Sequence, residues 1–530
     1  MNERHGLLKS ASLISSFTAI SRILGYARDS RIAYLLGAGA EADAFNAAYR
    51  IANLLRRLVG EGAVSAAFIP VFSRYLAIGR EEKGDDVWEF ADAALLGLTT
   101  TLLGVTALGM LAAPEIARVF LSGFASVPGK LEMVVTLSRV MFPYALFMGL
   151  AALAMGVLHG MRRFGAPAFG PIVANVVIIG SSFLSGFFSS ASMALAVGVV
   201  AGGALQVVVQ IPFLAAGGWR PRWRSGISRA LAHPEVRRVA TRIGPMILGM
   251  GAFQINVLVS LQFASRLEQG SVTAIGLADR VVELALGSYA VAISAAALPL
   301  LAHQVAEGRI EEMKSTMGFA CRMVLFVTIP AGVGLAALRG PIIEALFQHG
   351  AFDARATALT MPPLLLFALG LPAFSLVKIM APAFYAAGEA TTPVLAALTA
   401  IGGNIALNVA FGSSLGSGGP ALSTSLAAYL NAGFLIVVFL RRHGDFGIRG
   451  VGRAAAAAVA ASALMAVTAL AVIRAPHVYE GMIVQKAAAL AVAIGAGLIA
   501  YLGGSRLLGA RELGELWIAV RARRRSESFE

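Results

Sequence analysis

Runs of about twenty apolar residues recur along the whole of this 530-residue chain. Each is long enough to cross a hydrocarbon core about 30 Å thick. Fourteen such runs fall at 12–36, 44–72, 91–113, 134–158, 168–187, 191–216, 243–265, 273–301, 316–338, 357–387, 392–411, 420–440, 452–473 and 482–505. In hydrocarbon the backbone has no water to bond, so runs of this length are helices. Charged residues make up 14% of the chain and hydrophobic ones 58%, against about 25% charged in an average soluble domain. A soluble chain of this length divides into several domains, each with a polar skin that these residues do not supply. An ordinary soluble protein is excluded, and so is a disordered one. The predicted fold class is an all-α polytopic membrane protein with about 14 transmembrane helices.

Chemistry carried by cysteine or histidine is poorly served. A single cysteine, Cys321, leaves no disulfide framework and no Cys-ligated zinc or iron–sulfur site. It is expected as a small buried apolar residue. The seven histidines are scattered without metal-ligand spacing. No Walker lysine motif or nucleophile elbow is found, and Gly416-Ser417-Gly418-Gly419 reads as a turn between helices. No enzymatic activity, metal or cofactor is expected. The spacing Gly198-x-x-x-Gly202 predicts close helix packing.

The formal net charge is +14. In a soluble protein that would suggest nucleic acid; in a membrane protein Lys and Arg collect in cytoplasmic segments. Their distribution places both termini inside. The richest loop, 217–242, carries Arg220, Arg222, Arg224, Arg229, Arg237, Arg238 and Arg242 with Trp219 and Trp223 interleaved. It is expected to lie on the lipid headgroups, as is the tail from Arg521 to Arg525. The first run carries Arg22, Arg28 and Asp29 and is too long for a cleavable signal, so it is expected to remain as a helix.

An internal repeat organises the chain. Val64-Ser65-Ala66-Ala67-Phe68-Ile69-Pro70 returns as Ile293-Ser294-Ala295-Ala296-Ala297-Leu298-Pro299, at an offset of 229. At the same offset Phe142-Pro143 returns as Leu371-Pro372, and Asn175 as Asn404. Ala113-Pro114 through Phe120 resembles Gly340-Pro341 through Phe347 at 227. The offset spans six helices, an even number, so the copies share orientation, as in many secondary transporters with sites between their lobes. The predicted organisation is a cytoplasmic N-terminus (1–11), an N-lobe of six helices (12–216), a basic amphipathic linker (217–242), a parallel C-lobe of six (243–441), two additional helices (452–505) and a basic tail (506–530).

Charges inside the spans mark function, because each costs roughly 2.5–3.5 kcal/mol at mid-bilayer. The first, second and eighth runs hold Arg22, Arg28, Arg31, Arg50, Arg56, Arg57 and Arg280 against Asp29, Asp43, Glu61, Asp279 and Glu283. Arg22 and Asp29 are seven apart and share a helix face; Asp279 and Glu283, four apart, do likewise. A structural set of pairs would balance. The surplus is arginine, which suits an anion with several oxygens such as pyrophosphate. Asn404 and Asn408, four apart, with Thr424 on the next run, are either a site for a cation such as Na⁺ or an interhelical hydrogen-bond set.

The stretch Ser21-Arg22 … Gly25 … Ala27-Arg28-Asp29 … Gly37-Ala38-Gly39 … Ala42-Asp43-Ala44-Phe45 … Asn53-Leu54-Leu55-Arg56-Arg57 … Glu61-Gly62-Ala63 … Ala67-Phe68-Ile69-Pro70-Val71 resembles the opening of the MurJ (MviN) family of lipid II flippases. Ala278-Asp279-Arg280 … Glu283 and Ala381-Pro382-Ala383-Phe384-Tyr385 resemble later signatures of that family, a branch of the multidrug/oligosaccharidyl-lipid/polysaccharide exporter superfamily. The likeness runs over nearly the whole chain. One departure is Ile51-Ala52-Asn53, where the family usually has proline before the asparagine.

The resemblance implies transport of lipid II, an undecaprenyl-pyrophosphate disaccharide-pentapeptide, from the cytoplasmic to the periplasmic leaflet during peptidoglycan synthesis. It implies a central cavity with Arg22, Arg28, Asp43 and Arg280, and a lipid-tail groove at the last two helices. The expected mechanism is alternating access. Arg28 and Arg280, with Arg22 and Arg57, hold the pyrophosphate, and Asp29, Glu61 and Glu283 orient those arginines. Membrane potential, Na⁺ or H⁺ supplies the energy. The expected partners are lipid II and membrane lipids, not nucleic acid. The chain is expected to act as a monomer in the bacterial inner membrane, beside the cell-wall synthesis machinery. The alternatives are export of another polyprenyl-linked glycan, or drug/cation antiport, which would want an acidic cavity. A membrane glycosyltransferase would want catalytic carboxylates and a sugar-nucleotide site.

Overall fold

The structure is a computed structural model that describes residues 2–58, 64–78, 85–221, 226–475, 483–510 and 512–515. Among the described residues it is all-helical, with no strand. The chain divides into two compact units, Met1–Thr273 with His349–Phe352, and Ala274–Gln348 with Asp353–Glu530.

The first unit holds α1 (Asn2–Leu36), α2 (Ala40–Leu58), α3 (Val64–Ile78), α4 (Asp85–Phe120), α5 (Lys130–Met141), α6 (Pro143–Gly160), α7 (Gly165–Phe183), α8 (Ala191–Val208), α9 (Ile211–Ala215), α10 (Ile227–Ala232) and α11 (Pro234–Ser265). It also holds the start of α12 (Ser271–Ala306). The second holds the rest of α12, then α13 (Ile310–Ala337), α14 (Arg339–Phe347), α15 (Ala354–Ala386), α16 (Thr391–Phe411), α17 (Gly418–His443), α18 (Ile448–Arg474) and α19 (Ile483–Leu507). Among the described residues the apolar runs fall mainly on helix, with 44–72 divided between α2 and α3, 134–158 between α5 and α6, and 191–216 between α8 and α9. Among the described residues ten helical segments are long and apolar enough to cross a membrane. The large apolar side chains left exposed on them, such as Leu111, Val409 and Ile499, suit hydrocarbon as solvent.

Local chemistry sets several helix ends. Ser190 accepts from Met193 N–H at the start of α8, and Asp353 accepts from Ala356 N–H at the start of α15; both are N-caps that satisfy an orphan amide. α15 carries Pro362, Pro363, Pro372 and Pro382 within it, which membrane helices tolerate because neighbours re-satisfy the freed groups.

α11 packs on α2, α3 and α4, and the first compact unit runs to Thr273. Phe68, Phe72 and Phe90 stack in its core at 5.2–5.3 Å between ring centroids. Gly198 meets α7 so closely that a Cβ there would lie 2.0 Å from Ser181 Oγ, which is the packing its spacing predicts. In the second unit α18 and α19 pack together and α18 packs on α13, with the Tyr501 hydroxyl donating to the Phe326 carbonyl. Cys321 is buried beside the sulfurs of Met317 and Met380.

The linker differs from expectation at one residue. Trp219 is not on the headgroups. It is 2% exposed, and its indole N–H donates to Asp92 Oδ1 at 2.7 Å. A buried indole needs an acceptor, and α4 supplies it. Arg220, Arg229, Arg237 and Arg238 are exposed. Arg222, Trp223, Arg224 and the tail Arg521–Arg525 lie outside the described residues.

Candidate anion site

α1 passes its arginines against α7. Arg28 is half-buried, and its guanidinium is held on two sides. Nε and one terminal nitrogen both donate to Asp29 Oδ1, at 2.9 and 2.7 Å. The other terminal nitrogen donates to Asn175 Oδ1 at 3.0 Å. Side-chain exposure is 13% for Arg28 and 17% for Asp29, so this ion pair sits where the effective dielectric is well below that of water. Arg31, one turn on, is fixed otherwise: its Nε donates to Ser182, and its guanidinium lies over the rings of Tyr34 and Phe183. Arg22 is exposed on α1.

On α2, Arg56 and Arg57 are half-buried. Arg56 Nε donates to Asn53, three residues earlier. Glu61 lies outside the described residues.

Asp43, which the resemblance places in a central cavity, has other partners, and it is 1% exposed. Its oxygens accept from Lys130 Nζ (2.9 Å), Gly270 N–H (2.8 Å), Thr273 N–H (2.9 Å) and Thr273 Oγ1 (2.9 Å). Four donors saturate a carboxylate, so its oxygens serve the protein. They tie α2 to α5 and to the residues that open α12.

In the second unit Arg280 donates to Glu283 Oε2 at 3.1 Å, and both are more than one-third exposed. Asp279 is half-buried beside them in sequence. Asn404 and Asn408 are buried on α16. Asn408 Nδ2 donates to the Asn404 carbonyl at 2.9 Å and to its Oδ1. Asn404 Nδ2 reaches Thr424 Oγ1 on α17 at 3.5 Å. Among the described residues Asn408 Oδ1 is buried with no hydrogen-bond partner. Among the described residues no cluster of three His, Cys, Asp or Glu is placed to hold a metal ion.

Sequence reasoning missed Lys130, Thr273 and Ser182 as partners of these charges. It met Asn175 only as a repeat position, and that coincidence with Asn404 was the available signal.

A family model described as lipid II flippase MurJ matches residues 32–488. A probable lipid II flippase MurJ of Vibrio cholerae is 37% identical over 436 residues, covering 81% of this chain and 82% of that protein. A probable lipid II flippase MurJ of Bdellovibrio bacteriovorus is 33% identical and covers 97% of each chain. Among solved structures, a lipid II flippase MurJ in an inward closed conformation superposes with a TM-score of 0.77 at 26% identity, covering 93% of this chain and 98% of that one. An inward-facing multidrug-resistance transporter of the wider superfamily shares the fold at a TM-score of 0.63 and 16% identity.

Proposed function

Because the chain belongs to the MurJ family of lipid II flippases, we propose that it moves lipid II from the cytoplasmic to the periplasmic leaflet of a bacterial inner membrane by alternating access. The protein is a membrane transporter and not an enzyme. The observation that carries the reading to this chain is the end-to-end likeness to the family, 97% of both chains in one relative. The arginines then supply the chemistry.

Lipid II is a pyrophosphate, and its charged head is what the bilayer resists. A guanidinium presents paired N–H donors that match phosphate oxygens two at a time. Arg28 is the best-placed donor of the first unit, with Arg22, Arg56 and Arg57 adding positive charge; in the second unit the donor is Arg280. Asp29 and Glu283 hold Arg28 and Arg280 when no substrate is present, and exchange with the pyrophosphate when it arrives. Glu61 and Asp279 balance charge along the same helices. Asp43 acts at a distance, by fixing helix ends. The undecaprenyl chain stays in lipid beside α18 and α19.

Both termini are cytoplasmic in this reading, as the basic linker and tail favour. The chain works as a monomer alongside the enzymes that polymerise its product. A membrane potential negative inside is worth about 2.3 kcal/mol per charge per 100 mV and drives an anion outward. A coupled Na⁺ or H⁺ is the second reading, and one observation favours it: among the described residues Asn408 Oδ1 is a buried acceptor without a donor.

The test is leaflet accessibility of lipid II in bacteria depleted of their own flippase. A lipid II-cleaving toxin added outside reports the exposed fraction. Wild type is expected to restore cleavage and Arg28→Ala to fail. No restoration by well-expressed wild type would remove lipid II as the substrate and leave another polyprenyl-linked glycan.

A further inference from the structure

Asn175 is 6% exposed on α7, and its two ends bond different groups of α1. Oδ1 accepts from Arg28, and Nδ2 donates to the Ser21 carbonyl at 3.2 Å. The orientation of the amide is fixed, because a guanidinium only donates and a carbonyl only accepts. Ser21 and Arg28 are seven residues apart, two turns of helix on nearly one face. Gly25 lies between them, and a Cβ there would come within 3.7 Å of Nδ2. One buried amide thus spans two turns of α1 and grips Arg28.

Asp29 and Asn175 differ in charge, and this gives them different parts at Arg28. Asp29 takes the edge formed by Nε and one terminal nitrogen, the fork that a phosphate also uses. An arriving pyrophosphate competes with Asp29, anion against anion. Asn175 takes the remaining nitrogen and, being neutral, does not compete. We propose that Asn175 is the positioning residue of the anion site. It keeps the guanidinium plane fixed while its fork passes from Asp29 to the pyrophosphate. The inference rests on the reading of the chain as a lipid II flippase.

Asn404, at the matching repeat position on α16, is also buried and bonds Asn408 and Thr424.

The experiment uses full-length protein in proteoliposomes. It measures the lipid II density giving half-maximal flipping, the maximal rate, and thermal unfolding, for wild type, Asn175→Ala and Asn175→Asp. Asp keeps the shape of Asn, but it puts a second anion on Arg28 and sets an oxygen, in place of the Nδ2 donor, against the Ser21 carbonyl. A residue that only packed α7 on α1 would change half-saturation in step with thermal unfolding. A positioning residue predicts a split. Asn175→Asp needs a lipid II density about tenfold above wild type, which corresponds to about 1.4 kcal/mol, more than its loss of thermal stability accounts for. Asn175→Ala falls between. In an Arg28→Lys background, where the terminal guanidinium nitrogen is gone, adding Asn175→Ala should change half-saturation less than twofold. Wild-type behaviour of both variants, half-saturation that follows stability, or equal losses with and without Arg28 overturns the proposal. Absence of lipid II flipping by wild type overturns the functional reading first.

Discussion

Lys130 Nζ lies 2.9 Å from Asp43 Oδ2, with 4% and 1% of the two side chains exposed. The ammonium also sits 3.9 Å from the centre of the Phe124 ring. The two ends of the pair are not equally dependent on each other. Asp43 has three further donors, from Gly270 and Thr273; Lys130 has Asp43 as its buried counter-charge. Asp43→Ala leaves a buried cation and is expected to cost about 3–5 kcal/mol. Lys130→Met is expected to cost less, and the double variant less than Asp43→Ala alone. Unfolding in detergent micelles of the three variants checks the order. A Lys130→Met variant as unstable as Asp43→Ala would show that the backbone donors do not sustain the carboxylate.

Glycines at the end of α1 are expected to be irreplaceable for a different reason. Gly37 has φ of +62°, and a Cβ there would lie 2.4 Å from the Ala351 carbonyl. Gly350, at φ +59°, faces Tyr34 with a would-be contact of 2.6 Å. Ala351 N–H donates to the Tyr34 carbonyl at 2.8 Å, which is why the backbones must come so near. Gly129, at φ +75°, has nothing within 4 Å of such a Cβ. Gly129→Ala carries the backbone strain alone, about 1–2 kcal/mol. Gly37→Ala and Gly350→Ala add a clash with backbone and should unfold at clearly lower temperature than Gly129→Ala. Equal melting of the three would dismiss the close approach.

The sequence made the membrane class, the helices and the arginine-rich start legible, because hydrophobic length and charges inside apolar runs are strong, local signals. It did not reveal where each charge would be satisfied. Asp43 and Arg28 look alike in sequence as charges at the edge of or inside apolar runs. Their separation depends on Lys130, which lies outside the runs, and on Asn175, which is 147 residues from Arg28. Trp219 misled for a similar reason. Tryptophan among arginines is the pattern of a membrane interface, and only the tertiary fold brings Asp92 to the indole.

Trp219→Phe tests that placement. Phenylalanine keeps the apolar contact with the core of α3, α4 and α6 and removes the 2.7 Å bond to Asp92. A hydrogen bond to a charged acceptor contributes about 1.5–3 kcal/mol, so the variant should be destabilised by that order. Asp92→Asn keeps an acceptor and should lose less. If Trp219 were on the headgroups, Trp219→Phe would unfold as wild type does.

Asp445 gives a pH-dependent case outside the spans. Backbone N–H groups of Ile448 and Gly447 donate to its carboxylate at the start of α18. They hold its pKa below the ordinary carboxylate value, the Ile448 bond most strongly. A folded-state pKa lowered below the unfolded value of about 3.9 stabilises the fold above that pH and ceases to do so as pH falls through the folded value. The stability gap between wild type and Asp445→Ala should therefore be constant from pH 7 to 5 and narrow below about pH 4. A gap unchanged at pH 3 would mean that the charged carboxylate contributes nothing beyond the neutral acid.

Asp29→Asn separates binding from release at Arg28. In wild type the pyrophosphate must displace Asp29 from the Nε edge, and Asp29 must later displace the pyrophosphate. Asparagine still accepts a hydrogen bond from Arg28 but no longer opposes it with a full charge. Binding should tighten, with half-saturating lipid II density falling several-fold, on the scale of a charge-assisted bond of about 1.5–3 kcal/mol. Maximal flipping should fall too, because the group that reclaims Arg28 is weakened. Both quantities come from one titration of lipid II in proteoliposomes. Weaker binding by Asp29→Asn would instead mean that Asp29 orients Arg28 throughout the cycle and never trades places with the substrate.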